Sequence, residues 1–427
     1  MRVSVRWEGA TARFRIDLLP GEELRGTGQF HMTVELVAQQ FRLTLPEPIP
    51  EPHPDLVALA ALTVARPWTR HTMMVERGVS PRFAEAVERA LGIEVCPVDS
   101  HLTSRTPGPG RILSYSGGPD SIASRLLLGP LPLWHLVRVT SRSVPNRAGH
   151  ITAGVTRRLV ESAAGLGEEV VLVESDLEFV AARPFPTYPQ TEAVLAGPVL
   201  AADKVGLGTL ALGRTLNGTY VLPEVGARRP DPEMAWIEAF AAAGVNLVYP
   251  VASMFEVVTR PLASRTPLGT LARSCARGNY STPCLSCRKC AWSQLLLAAL
   301  DERPMEPTAL KRLAASREVI ADFSGGPPYP SQPVLEYALA RVPELEGTVF
   351  DEPLRILRPT REATAWTERY HPGAIAEMAA PIGQELTVAL EGAGVEPMTP
   401  REQEMLLGWV AEPAARTTDS GQPSRGS

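Results

Sequence analysis

The stretch that decides the fold reads Leu113-Ser114-Tyr115-Ser116-Gly117-Gly118-Pro119-Asp120-Ser121. Residues 111–115 have the character of a short strand and residues 121–128 that of a helix, so the glycine pair sits at a strand-to-helix turn. Two adjacent glycines let the backbone fold tightly enough for consecutive N–H groups to point at one anion. The following helix adds the partial positive charge of its N-terminus. Ser116 and Ser121 supply hydroxyl donors for phosphate oxygens, and Ser114 joins them at the end of the strand. Asp120 is suited to orient a Mg²⁺ ion, because a bare carboxylate beside a polyphosphate would repel it. No Gly-Lys-Ser/Thr follows, so this is not the loop that cradles β- and γ-phosphates for transfer of the terminal phosphoryl group.

Outward from the loop the pattern alternates. Residues 133–140, 169–174 and 209–213 read as strands, and residues 149–165 and 192–205 as helices. That rhythm implies βαβ units, a parallel sheet and right-handed crossovers. Ligands in such sheets bind at the carboxyl ends of the strands, beside a topological switch point. Gly213 closes the later strand at that end. Arg214 beside it is a candidate clamp for a phosphate or carboxylate, with a surface arginine as the competing reading.

The second informative cluster is Cys275, Cys284, Cys287 and Cys290, spaced C-x8-C-x2-C-x2-C. Thiolates two residues apart on a turn can converge on one metal ion, with the first cysteine closing the tetrahedron. Structural zinc is the first expectation, and an iron–sulfur cluster is its rival. The fifth cysteine, Cys96 in IEVCPV, reads as a buried strand residue. The seven histidines are scattered without metal spacing, and only His150 lies near a strand's carboxyl end.

Ser116, Gly117, Gly118, Asp120 and Ser121 match SGGxDS, the signature of the PP-loop ATP pyrophosphatases, in which the loop holds the leaving pyrophosphate. Together with the cysteine spacing the chain resembles the 7-cyano-7-deazaguanine synthase family over roughly residues 108–300. The resemblance implies a Rossmann-like parallel sheet of the adenine nucleotide alpha hydrolase type. It also implies zinc on the four cysteines, with ATP and Mg²⁺ at the loop. The implied reaction adenylates a carboxylate such as 7-carboxy-7-deazaguanine, releases pyrophosphate, and passes the acyl group to ammonia or another nitrogen nucleophile with loss of AMP.

Departures from that family are specific. After the second strand the chain carries TSRSVPNRAGH, in which Arg147 and His150 are loose counterparts of the family's residues. The segment TYPQTEAV replaces a Pro-x-Arg-Asn. NGTYVLPEVGARRPDP aligns with the family's substrate segment only at Tyr220 and Glu224. Enlarged relatives of this kind resemble components of anti-phage defence systems, which implies a protein or nucleic-acid acceptor, or a nucleotide-binding subunit, as the alternative. A PP-loop enzyme modifying tRNA is a further one.

Three regions follow from the pattern. Residues 1–105 read as an α+β domain of unassigned role, beginning with period-two segments such as Val3-Val5-Trp7 and Phe14-Ile16-Leu18. Residues 106–300 hold the loop and the cysteines. Residues 301–427 are mostly helical and end in a polar tail with the composition of a disordered segment. The formal charge of −5 at pH 7 excludes a nucleic-acid binder held by net electrostatics, although nucleic acid stays open through a local patch. The beginning of the chain lacks the apolar core of a signal peptide, and no apolar run is long enough to span a bilayer. A cytoplasmic enzyme without a membrane partner is therefore expected, with a protein acceptor and a homodimer left open.

Overall fold

The computed structural model describes all residues except 28–32, 139–152, 183–185, 220–230, 276–281, 328, 330, 379 and 412–427. Its strands are β1 (Arg2–Glu8), β2 (Thr11–Asp17), β3 (Arg25–Thr27), β4 (Thr33–Leu36), β5 (Gln40–Thr44), β6 (Thr72–Val79), β7 (Glu94–Val98), β8 (Gly110–Ser114), β9 (Leu133–Arg138), β10 (Val170–Ser175), β11 (Ala181–Ala182), β12 (Pro186–Thr187), β13 (Leu207–Leu212) and β14 (Asn246–Val248). Ten of them form one sheet in the order β14-β13-β8-β9-β10-β5-β2-β1-β6-β7, and β12-β11-β4-β3 make a small second sheet. From β14 to β10 every pairing is parallel. The order β10-β9-β8-β13-β14 corresponds to 3-2-1-4-5 in chain sequence, which places a topological switch between β8 and β13.

The helices that matter for the site are α1 (Pro54–Ala65), α2 (Pro81–Leu91), α3 (Pro119–Leu128), α4 (Ala153–Gly165), α5 (Ala196–Leu200), α6 (Leu216–Thr219), α7 (Asp231–Ala242), α8 (Glu256–Ser264) and α9 (Arg288–Leu300). Successive strand residues point to opposite faces, and the core divides accordingly. Ile112, Leu210 and Leu247 belong to the apolar cluster shared with α1, α2, α5 and α7. Their neighbours Leu113, Ala211 and Val248 belong to the cluster built with α3, α8 and the later helix Ala380–Gly392. The parallel sheet is thus covered on both faces, which is why β13 is buried at every residue and lacks alternation.

The period-two segments of residues 1–105 do form strands, and these strands continue the same sheet. β10 pairs antiparallel with β5. Asp176, which follows β10, accepts from the backbone N–H of Arg42 at 2.7 Å and is buried. β6 and β7 extend the sheet again in parallel with β1. Cys96 lies half-buried on β7.

Residues 192–205 depart from a single helix. A 3-10 turn over Thr191–Leu195 leads into the short α5, and Gly197 packs its Cα against Val173, where an added Cβ would stand 3.0 Å from the valine. The described residues of 301–411 form short helices joined by turns, with a second apolar cluster around α9 that gathers Phe323, Tyr337, Phe350 and Trp366. No helix among the described residues is long and apolar enough to cross a membrane.

Candidate functional site

The carboxyl ends of β8, β13 and β14 meet at the switch point, and most of the residues singled out in the sequence gather there. After β8 the chain turns through Ser116 and Gly117 into α3, whose N-cap is Gly118. Gly117 has φ +72°, a conformation that favours glycine, and an added Cβ would sit 2.0 Å from Leu159 Cδ2 on α4, so that leucine would have to move as well. Within the turn the Gly118 N–H donates to Ser116 Oγ at 3.3 Å, and Ser121 Oγ donates to the Gly118 carbonyl at 2.9 Å. Ser116 and Ser121 hydroxyls lie 3.2 Å apart; Ser116 is exposed, while Ser121 and Ser114 are buried.

Gly213 explains itself by close approach. A Cβ there would stand 2.8 Å from Ser121 N and 2.9 Å from the Asp120 carbonyl carbon and oxygen. The end of β13 therefore lies against the first turn of α3, backbone to backbone. Arg214 next to it is mostly buried, pairing with Glu192 at 3.3 Å and donating to the Gly218 carbonyl at 3.0 Å. Burial pushes the Glu192 carboxyl above its ordinary range, with Arg214 opposing that rise. The guanidinium is thus part of an ion pair inside the protein, and its position braces the β13 end.

Asp120 faces inward, toward α8. Its Oδ1 accepts from Thr259 Oγ1 at 2.6 Å. Beside it stands Glu256, the first residue of α8, whose Oε1 accepts from Thr215 Oγ1 at 3.2 Å. Both carboxylates occupy the first turns of helices, where the dipole favours negative charge. Burial nevertheless raises the Asp120 pKa, opposed by the Thr259 hydrogen bond and by the charges of Arg260 and Lys289. Burial and the Asp120 charge together push Glu256 up to about 7. Glu256 Oε2 and Asn217 Oδ1 are both buried acceptors without a hydrogen-bond partner. The Asn217 amide contacts Glu256 and also donates to Ser331 Oγ. Arg260, one turn further along α8, donates to Ser274 Oγ at 3.1 Å and to Ser293 Oγ at 2.6 Å.

Cys275, Cys284, Cys287 and Cys290 come together, with all four sulfurs within 4.8 Å of one another. None is in a disulfide. Cys287 is the N-cap of α9, its sulfur accepting from the Cys290 N–H at 3.4 Å, and Cys284 Sγ lies 3.7 Å from Cys290 Sγ. The cluster can hold a metal ion. Within the cluster the Cys275 sulfur and burial raise the Cys287 pKa to about 12, and the Cys275 and Cys287 sulfurs with burial raise that of Cys290.

The sequence reading missed Glu256, Thr259, Arg260, Thr215 and Asn217. The position of Glu256 was available as the first acidic residue after a strand end, but α8 begins after the very short β14, which carries no periodic signal. Arg147, His150, Tyr220 and Glu224 lie outside the described residues.

A family model described as "Family of unknown function (DUF6395)" matches residues 235–410, under half of the chain. That span contains Glu256, Arg260 and the four cysteines, while the Ser116–Ser121 turn and Gly213 precede it. No curated protein and no solved structure matches the chain.

Proposed function

We propose that the protein is an AMP-forming, ATP-dependent ligase of the PP-loop class, activating a carboxylate as its adenylate and transferring it to a nitrogen nucleophile. The observation that carries this reading is the convergence at one switch point of the SGGPDS turn, the Gly213 strand end and the Asp120–Glu256 pair. The turn offers backbone N–H groups and the exposed Ser116 hydroxyl to pyrophosphate oxygens, while the buried Ser121 hydroxyl, donating to the Gly118 carbonyl, braces the turn. The N-terminus of α3 adds its dipole there, at a position where negative charge accumulates as the bond between the α- and β-phosphates breaks. The gain in rate comes from holding the carboxylate in line with the α-phosphorus and from stabilising that charge.

The Asp120 and Glu256 side chains are the candidate holders of Mg²⁺, which when bound neutralises polyphosphate charge. The buried Glu256 Oε2, without a donor, suits a cation. The four cysteines are the candidate holders of a single structural Zn²⁺. Two sulfurs on one tetrahedral zinc at ~2.3 Å lie about 3.8 Å apart, and Cys284 and Cys290 stand at 3.7 Å. Ligands to four separate irons of a cluster would sit further apart. With four protein ligands the ion has no open position and acts on structure alone.

The test is product analysis of ATP incubated with Mg²⁺, ammonia and 7-carboxy-7-deazaguanine. AMP and pyrophosphate in equal amounts, dependent on the acid, are the expected result. Asp120→Asn is expected to reduce AMP formation by about 10²-fold or more, the scale of losing an electrostatic contact made in the transition state. Wild-type rates in that variant would remove Asp120 from the mechanism. Stoichiometric ATP binding with no AMP under any acceptor would instead favour a nucleotide-binding subunit.

A further inference from the structure

The four cysteines and the glycine turn are joined by a strap of three residues. The Arg273 N–H donates to the Gly117 carbonyl at 2.9 Å. The next residue, Ser274, accepts from Arg260. The next is Cys275. From the other side of the cysteine cluster, Ser293 on α9, three residues past Cys290, accepts from the same Arg260 Nη2. Lys289, between Cys287 and Cys290, adds its charge at Asp120. Gly117 thus lies close to Leu159 and is tied to the strap through its carbonyl.

The described part of the cysteine segment is held by the Cys284 N–H on Cys275 Sγ at 3.3 Å, by Ser316 Oγ on the Ser286 carbonyl at 2.8 Å and by the Arg288–Asp322 ion pair. The described residues 282–287 are bends and irregular chain, and regular structure resumes only at α9. A segment of that kind takes its order from the ion it binds.

We propose that metal occupancy of the cysteine cluster sets the geometry of the phosphate turn, with Arg273 and Arg260 as the positioning residues that transmit it. The inference rests on reading Ser116–Ser121 as a nucleotide loop. Loss of the ion removes the tether it places on Cys275, the strap loosens, and the hydrogen bond of Arg273 to the Gly117 carbonyl weakens. The turn then has to be ordered by the nucleotide itself, which weakens binding.

Two measurements test this on the full chain, zinc-loaded and after chelation, with far-UV circular dichroism as the check on folding. Hydrogen exchange of the peptide containing residues 113–121 is expected to slow on zinc loading. The Kd for ATP is expected to be about tenfold weaker or more in stripped protein, a change of ~1.4 kcal/mol, and to recover when zinc is restored. Arg273→Pro separates the strap from the cluster by deleting the N–H donor without touching a cysteine. Ala272, at φ −54° and ψ 125°, already has the conformation required before proline. That variant is expected to keep its zinc, lose loop protection and bind ATP weakly, while Arg273→Ala, which keeps the N–H, behaves as wild type. Unchanged loop exchange and unchanged ATP affinity in stripped protein, or in Arg273→Pro where stripping unfolds the chain, overturn the proposal. Zinc-dependent loop protection without any ATP binding supports the coupling and defeats the nucleotide reading instead.

Discussion

Glu256 carries a pH dependence whose sign follows from its surroundings. Its carboxyl titrates at about 7 in the folded protein, against 4.5 as the ordinary value. Between those values the native state binds more protons than the unfolded chain, so this group's contribution falls as pH rises through the window and is fully unfavourable above it. The difference amounts to about 3 kcal/mol as an order of magnitude. Without divalent ions, Glu256→Gln is expected to raise the urea midpoint at pH 8, with the advantage fading toward pH 5. A pH profile identical to wild type would remove Glu256 from the account. Gly213 makes a different kind of prediction. A Cβ would press on α3 backbone at 2.8–2.9 Å, and rigid backbone cannot yield as a side chain does. Gly213→Ala is expected to cost roughly 1–3 kcal/mol by overpacking, measured as a lower thermal midpoint, and to displace the first turn of α3.

At the scale of elements, the strand–turn–helix around Gly117 was legible because its signals are local: an apolar strand, a glycine forced to positive φ, and a helix beginning at proline. The cysteine cluster was legible for the same reason, since three ligands lie within seven residues. The strands β6 and β14 were not foreseen. Thr72–Val79 lacks clean alternation and Asn246–Val248 is three residues long, so pairing partners rather than pattern make them strands. The entry to β8 shows how the linker is secured. Arg105, almost wholly buried, pairs with Asp203 at 2.7 Å and donates to the carbonyls of Leu207 at 2.8 Å and Ala202 at 3.1 Å, and to that of Gly244. It ties the start of β13 to the turn after α7. Arg105→Ala is expected to lose roughly 3 kcal/mol, given several charge-assisted hydrogen bonds, with the loss read from chemical denaturation.

At the scale of the whole molecule, the sheet runs without a break from β14 to β7, so residues 1–105 and the switch point share one hydrogen-bonded surface and one apolar cluster. Phe14 and Phe41 stack at 4.5 Å within it, alongside Leu210 and Leu247 from the parallel half. Residues 106–427 expressed alone are therefore expected to expose the β10 edge and an apolar face, and to aggregate on size-exclusion chromatography, because an unpaired edge recruits other strands. A monodisperse, folded fragment would show that the N-terminal strands are dispensable. The C-terminal helices cover the other face, where Glu385 pairs with Arg111 of β8 at 2.5 Å. By itself the sequence determined the turn, the glycines and the cysteine spacing, since φ preferences and ligand separation are properties of neighbouring residues. The tertiary structure alone settled that Thr259, 139 residues away, holds Asp120, that Glu256 stands beside it, and that Arg273 links the cysteines to Gly117. Those contacts join segments far apart in the chain and exist only once the sheet has closed and brought their ends to one edge.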